Sequence, residues 1–112
     1  MTVEWARIDL YQTDNLVHLF EDYSDITYHQ RQSYRGRTAL FKEELLRGNT
    51  SLKLSAVQPS DEGAYKCVVR DRKSKWYDDV TLYVKVKGKD DIKINVTITH
   101  IVYLNHCKTL LP

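Results

Sequence analysis

Glycine, proline and cysteine are scarce in this sequence of 112 residues: four, two and two. So little glycine and proline excludes collagen-like repeats, mucin-like stalks and low-complexity linkers. No apolar run approaches the length of about 18 residues that a spanning helix needs. An excess of one charge is missing too. Seventeen Lys and Arg against fifteen Asp and Glu leave a net charge of +2, which gives no argument for nucleic acid or an anionic membrane. The opening MTVEWARIDL has no basic region, apolar stretch or small-residue cleavage site, so no signal peptide is expected in this chain. Helical periodicity is nearly absent, and residues 39–46 can make one short turn at most.

What is present is strand period. The length is that of one domain, large enough for a modest core. Val3, Trp5 and Arg7 share one face of a first strand. In a second, Val17 and Leu19 alternate with His18 and Phe20. Leu52 and Leu54 mark a third, and Tyr65, Cys67 and Val69 a fourth. Val80, Leu82, Val84 and Val86 mark a fifth. Turn-rich QTDN, RGNT, QPSDEG and RDRKSK separate them. Short strands with turns between read as an antiparallel sandwich or barrel. After a charged break at KGKDD, Ile92, Ile94, Val96 and Ile98 alternate with Lys93, Asn95, Thr97 and Thr99. Residues 1–87 and 88–112 are therefore taken as a domain and a separate tail.

The strongest local signal is Asp61-Glu62-Gly63-Ala64-Tyr65-Lys66-Cys67. Gly63 permits a tight backbone turn where a strand begins. Tyr65 and Cys67, two apart, share a face, and the Tyr65 hydroxyl can bond back to upstream backbone. Asp61 can accept a guanidinium fork, and Arg37 in YRGRT is the natural partner. Trp5 is the large ring expected beside Cys67.

These residues, in this order, resemble a V-type immunoglobulin domain. VEWAR, NLVHLF, YRGRTALF, NTSLKLSAVQPSDEGAYKC and WYDDVTLYVKV resemble the group of butyrophilins and myelin oligodendrocyte glycoprotein, which includes the T-cell costimulatory ligands. The resemblance covers residues 3–87. It implies an all-β V-type antiparallel β-sandwich lacking strands A and B. The remaining strands are C (3–8), C′ (15–21), C″ (26–30), D (37–42), E (50–57), F (63–71) and G (76–87). In a complete domain strand B supplies the disulfide partner of Cys67. A native disulfide in a small secreted domain contributes about 2–5 kcal/mol, so the chain by itself is expected to fold poorly or to associate. Cys107 lies in a polar setting unlike that of Cys67, and a bridge between the two is not expected. The tail run 92–98 could lie beside strand E, but the reading adopted is an extension unrelated to the domain.

The resemblance further implies a cell-surface or secreted recognition module that binds a protein receptor or counter-ligand, in regulation of T-cell responses. The parent would be membrane-anchored. The alternatives are a homophilic adhesion module and a truncated product without independent activity. Family members meet partners through the GFCC′ face. By alternation its outward set here is Glu4, Ala6, His18, Phe20, Lys66, Val68, Arg70 and Tyr83, with Phe20 and Val68 as apolar anchors. The basic loop 70–75 adjoins it. Asn49-Thr50-Ser51 and Asn95-Val96-Thr97 fit the N-glycan acceptor pattern. Asn49 falls at a turn where exposure is expected, and Asn95 lies in the tail. His18, His29, His100 and His106 fall in no metal-ligand spacing, and His100, His106 and Cys107 in the tail are not expected to hold a metal. No nucleophile motif or phosphate loop is present. No enzymatic activity, cofactor, nucleic acid or small-molecule substrate is expected.

Overall fold

A computed structural model describes residues 1–87 and 94–102. Ile92, Lys93, His106 and Cys107 lie outside the described residues. Among the described residues eight strands follow in chain order: β1 (Thr2–Arg7), β2 (Leu16–Glu21), β3 (Ser24–Ile26), β4 (Thr38–Leu40), β5 (Leu52–Leu54), β6 (Gly63–Asp71), β7 (Trp76–Val84) and β8 (Val96–Ile98). All pairings are antiparallel, in one sheet of order β3-β2-β1-β6-β7 and another of order β4-β5-β8. The first seven correspond to strands C to G of the V-type pattern. β1, the counterpart of strand C, begins at Thr2.

Period-two alternation builds the core. Val3, Trp5, Tyr65, Cys67 and Val69 face inward from one sheet, and Leu40, Leu52, Leu54 and Ile98 from the other. Between β4 and β5, the 3-10 helix Lys42–Arg47 drops Leu45 into the same core. It ends at Gly48, where φ is +92° and a Cβ would strike the Val102 carbonyl. That close approach admits only glycine.

Strands D, E and G are shorter than the sequence expectation, and the C″ strand and the tail are placed differently. The C″ strand is Ser24–Ile26, not 26–30. Asp22 and Tyr23 both have positive φ (51° and 74°) and form the two-residue turn of a β2–β3 hairpin. That backbone suits the strand twist, but neither residue gives the usual Asn-Gly signal. Gln30 then bends the chain back, its amide donating to the Val17 carbonyl (2.7 Å) and Thr38 Oγ1 (2.8 Å).

The tail does not stand apart. β8 lies along β5 in the position next to strand E that strand B holds in the ABED sheet. Leu52 pairs with Ile98, Lys53 with Thr97 and Leu54 with Val96. The seam continues on both sides. Val57 N donates to Ile94 O (2.8 Å), Thr50 N to His100 O (2.9 Å) and Val102 N to Gly48 O (2.7 Å). Ile98 and Val102 enter the core. The cause is mutual need. β5 without a second neighbour would leave backbone groups unpaired over a buried face, and an alternating β-branched run is what can cover them.

Candidate recognition face and the core that holds it

A polar cluster fixes the lower end of the sandwich. Arg37 Nη1 and Nη2 donate to Asp61 Oδ2 and Oδ1 at 2.9 and 2.8 Å. Asp61, 1% exposed, also accepts the Gln58 N–H at 2.8 Å. The Tyr65 hydroxyl donates to the Asp61 carbonyl at 2.6 Å. The structure thus brings Arg37, Asp61 and Tyr65 together at the corner before β6. It adds two residues that the motif did not reveal. Tyr34 OH lies 2.7 Å from Tyr65 OH. Arg7 donates to Tyr34 OH (2.8 Å), to Ser60 and Glu62 carbonyls (3.0 and 2.8 Å), and in a fork to Asp9 (2.8 Å twice). The Asp9 fork raises the Arg7 pKa despite burial. Gly63 serves this cluster, because a Cβ there would collide with the Arg7 guanidinium. The signal for Arg7 was in the sequence, as it shares a face with Val3 and Trp5.

The second cluster surrounds Cys67. Trp5 and Cys67 are directly paired across β1 and β6, and both are fully buried. The Trp5 indole N–H donates to the Thr50 carbonyl at 2.9 Å, and Cys67 Sγ lies 3.8 Å from Thr50 Oγ1. Cys67 is a free thiol, and burial pushes its pKa up to about 12. A thiol so protonated is inert as a nucleophile.

His100 joins this cluster from the tail. Its ring meets Trp5 edge-on at 6.4 Å, its Nδ1 lies 2.9 Å from Thr50 Oγ1, and its Nε2 lies 3.5 Å from Asp78 Oδ2. Burial lowers the His100 pKa from 6.5, against the opposing pull of Asp78 and, more weakly, Asp79. A histidine depressed in the folded state binds fewer protons than in the unfolded chain. Its contribution is therefore intact above the ordinary histidine pKa of about 6.5 and erodes as pH falls below it. The melting temperature is expected to drop between pH 7.5 and 5.5, and His100→Asn should flatten that slope. An equal slope in the variant would assign the effect elsewhere.

The outward face of the five-stranded sheet departs from the expected set at two positions. Phe20 and His18 point inward and are 7% and 5% exposed. The cause is a bulge. Trp5 pairs with His18 but Ala6 pairs with Leu16, so Val17 is an extra residue and the alternation slips. His18 is tolerated inside because both ring nitrogens are bonded, Nδ1 with Thr38 Oγ1 (2.7 Å) and Nε2 with Asp25 Oδ1 (2.8 Å). Asp25 in turn holds Lys42 at 2.7 Å. Phe20 lines, with Leu45, Val69 and Val102, a cavity of about 600 Å³ at the loop end.

Leu19 takes the outward place, in a row Ile26–Leu19–Glu4–Val68–Asp79 across the sheet. Leu19, Ile26, Val68 and Ala6 are half-buried. Around them Arg70 faces Glu4 at 3.6 Å and Lys66 faces Asp79 at 3.7 Å. Tyr77 and Tyr83 stand 55% and 62% exposed on β7. The basic loop is a four-residue turn, Arg72–Lys75, between β6 and β7, exposed throughout.

Of the acceptor asparagines, Asn49 is half-buried and bridges to Ile101, while Asn95 is exposed. Among the described residues, no group of three or more His, Cys, Asp or Glu is placed to hold a metal.

The immunoglobulin V-set domain model matches residues 1–87. The human V-set domain-containing T-cell activation inhibitor 1 is 43% identical over 75 residues, covering 67% of this chain and 26% of that protein. Human butyrophilin-like protein 2 is 33% identical over 86 residues, 77% of this chain and 17% of its own. Myelin-oligodendrocyte glycoprotein of Callithrix jacchus is 32% identical over 87 residues, 78% and 34%. The chain thus spans 17–34% of the length of these relatives. The crystal structure of the human B7-H4 IgV-like domain superposes with a TM-score of 0.65 at 34% identity, covering 73% of this chain and 67% of that one. With the tyrosine corner, the Arg37–Asp61 fork and the Trp5–Cys67 pair in place, the chain belongs to the immunoglobulin V-set family.

Proposed function

We propose that this chain is a recognition module that binds a protein partner on another cell through the outer face of β3-β2-β1-β6-β7. The setting is regulation of T-cell responses, at the outer surface of the plasma membrane or in secreted form. The carrying observation is the row that brings half-buried Ile26, Leu19 and Val68 onto a sheet face that also carries the Arg70–Glu4 and Lys66–Asp79 ion pairs. Apolar centres with a polar rim are the anatomy of contact patches, and exposed tyrosines such as Tyr77 and Tyr83 are enriched in them. The relatives named for T-cell activation inhibition support the immune setting. Binding without chemistry is supported by the buried, protonated Cys67 thiol.

The test is binding of the multimerised chain to activated T cells. Val68→Glu and Leu19→Glu are each expected to weaken it by about tenfold or more, with unchanged melting, because both side chains face outward. Undiminished binding by both variants would remove this face. Concentration-dependent self-association of the parent chain, lost in the same variants, would favour homophilic adhesion.

A further inference from the structure

We propose that Asn95 is an N-glycan acceptor of this chain. Asn95-Val96-Thr97 has the acceptor pattern, and the fold presents it in a usable way. Asn95 and Thr97 are both exposed, while Val96 between them turns toward the core. Among the described residues β8 is the outer strand of its sheet, and the exposed Asn95 side chain leaves a sugar room in solvent. The asparagine is also held. Its Oδ1 accepts the Ala56 N–H at 3.2 Å, where Ala56 has φ +49°, and the adjacent Ile94 carbonyl accepts the Val57 N–H at 2.8 Å.

Glycosylation leaves that hydrogen bond intact. The new bond joins Asn95 Nδ2 to the anomeric carbon of a lipid-diphosphate-linked oligosaccharide. The sugar C–O bond to the diphosphate breaks, and the lipid diphosphate leaves as one amide proton is given up. Oδ1 stays free to accept from Ala56. The Asn49 pattern is placed differently. Thr50 and Ser51 are 1% and 3% exposed. Ser51 Oγ accepts the His100 N–H at 3.1 Å, and Asn49 Oδ1 accepts the Ser51 N–H at 3.1 Å. Thr50 and Ser51 of that pattern are buried in the β5–β8 seam, whereas Asn95 and Thr97 are exposed along it.

The inference rests on the extracellular reading, and its test is built to separate the two. The whole chain is expressed behind a cleavable secretion leader, with Asn49→Gln to silence the other pattern. Secreted and cell-retained pools are both run before and after peptide N-glycosidase. One glycan is expected on the N49Q chain. Thr97→Ser should retain it and Thr97→Ala should lose it, and neither change touches Asn95 or its bond to Ala56. An N49Q chain that enters the pathway, as leader removal reports, yet shows no glycosidase-sensitive shift overturns the assignment. So does a shift that persists in T97A. The leader forces entry, so either result stands whatever partner the sheet face binds.

Discussion

A chain ended after residue 87 is expected to lose its cooperative thermal transition. The cut removes β8, with Ile98 and Val102, which are 7% and 4% exposed in the core. Fully burying side chains of this kind stabilises by about 1.5–3 kcal/mol each. It also strips β5 of its partners along the seam and opens the site where His100 and Thr50 close over Trp5 and Cys67. The folding margin of a domain this size is about 5–15 kcal/mol. The losses together are of the size of that margin. Circular dichroism melts of the two lengths are the measurement. A shortened chain that melts as sharply, and at the same temperature, would show that β8 is dispensable.

Asp61→Ala should cost about 3–5 kcal/mol, the range for breaking one side of a buried ion pair. Asp61 accepts four hydrogen bonds, two from Arg37, one from Gln58 N and one, on its carbonyl, from Tyr65. The substitution removes the three side-chain bonds and leaves the Arg37 guanidinium, 12% exposed, without its carboxylate. The carbonyl bond to Tyr65 survives, so the corner loosens rather than disappears. Urea midpoints of Asp61→Ala, Arg37→Ala and the double variant form a cycle. Destabilisations that simply add would mean the fork contributes no coupling, contrary to its bidentate geometry.

How much was legible before coordinates depended on whether the signal was local. The D-x-G-x-Y-x-C run carries the tyrosine corner because its geometry is set within five residues and one strand. Arg37 could be matched to Asp61 because each stands in a short motif, YRGRT and D-x-G-x-Y-x-C, whereas the second fork of the corner, Arg7 to Asp9, stands in none. β1 and β6 could be faced correctly because each alternates without interruption. β2 could not. Its bulge at Val17 arises from pairing with β1, and no residue in LVHLFE announces it. His18 reads as a surface residue until Thr38 and Asp25, brought from other strands, satisfy both of its nitrogens.

The tail shows the same division. Its alternation stated that 92–98 could be a strand, but a strand's neighbour is not written in its own residues. Only the assembled sandwich, with β5 bare on one side and Leu52 and Leu54 needing cover, decides that β8 pairs there. The sequence by itself therefore determined the strand period and the turn into β6, which are local, while its resemblance to V-type domains pointed to the family and to Trp5 beside Cys67. The tertiary structure decided which way β2 faces, where the tail goes and which asparagine stands clear, since each depends on hydrogen-bond partners far away along the chain.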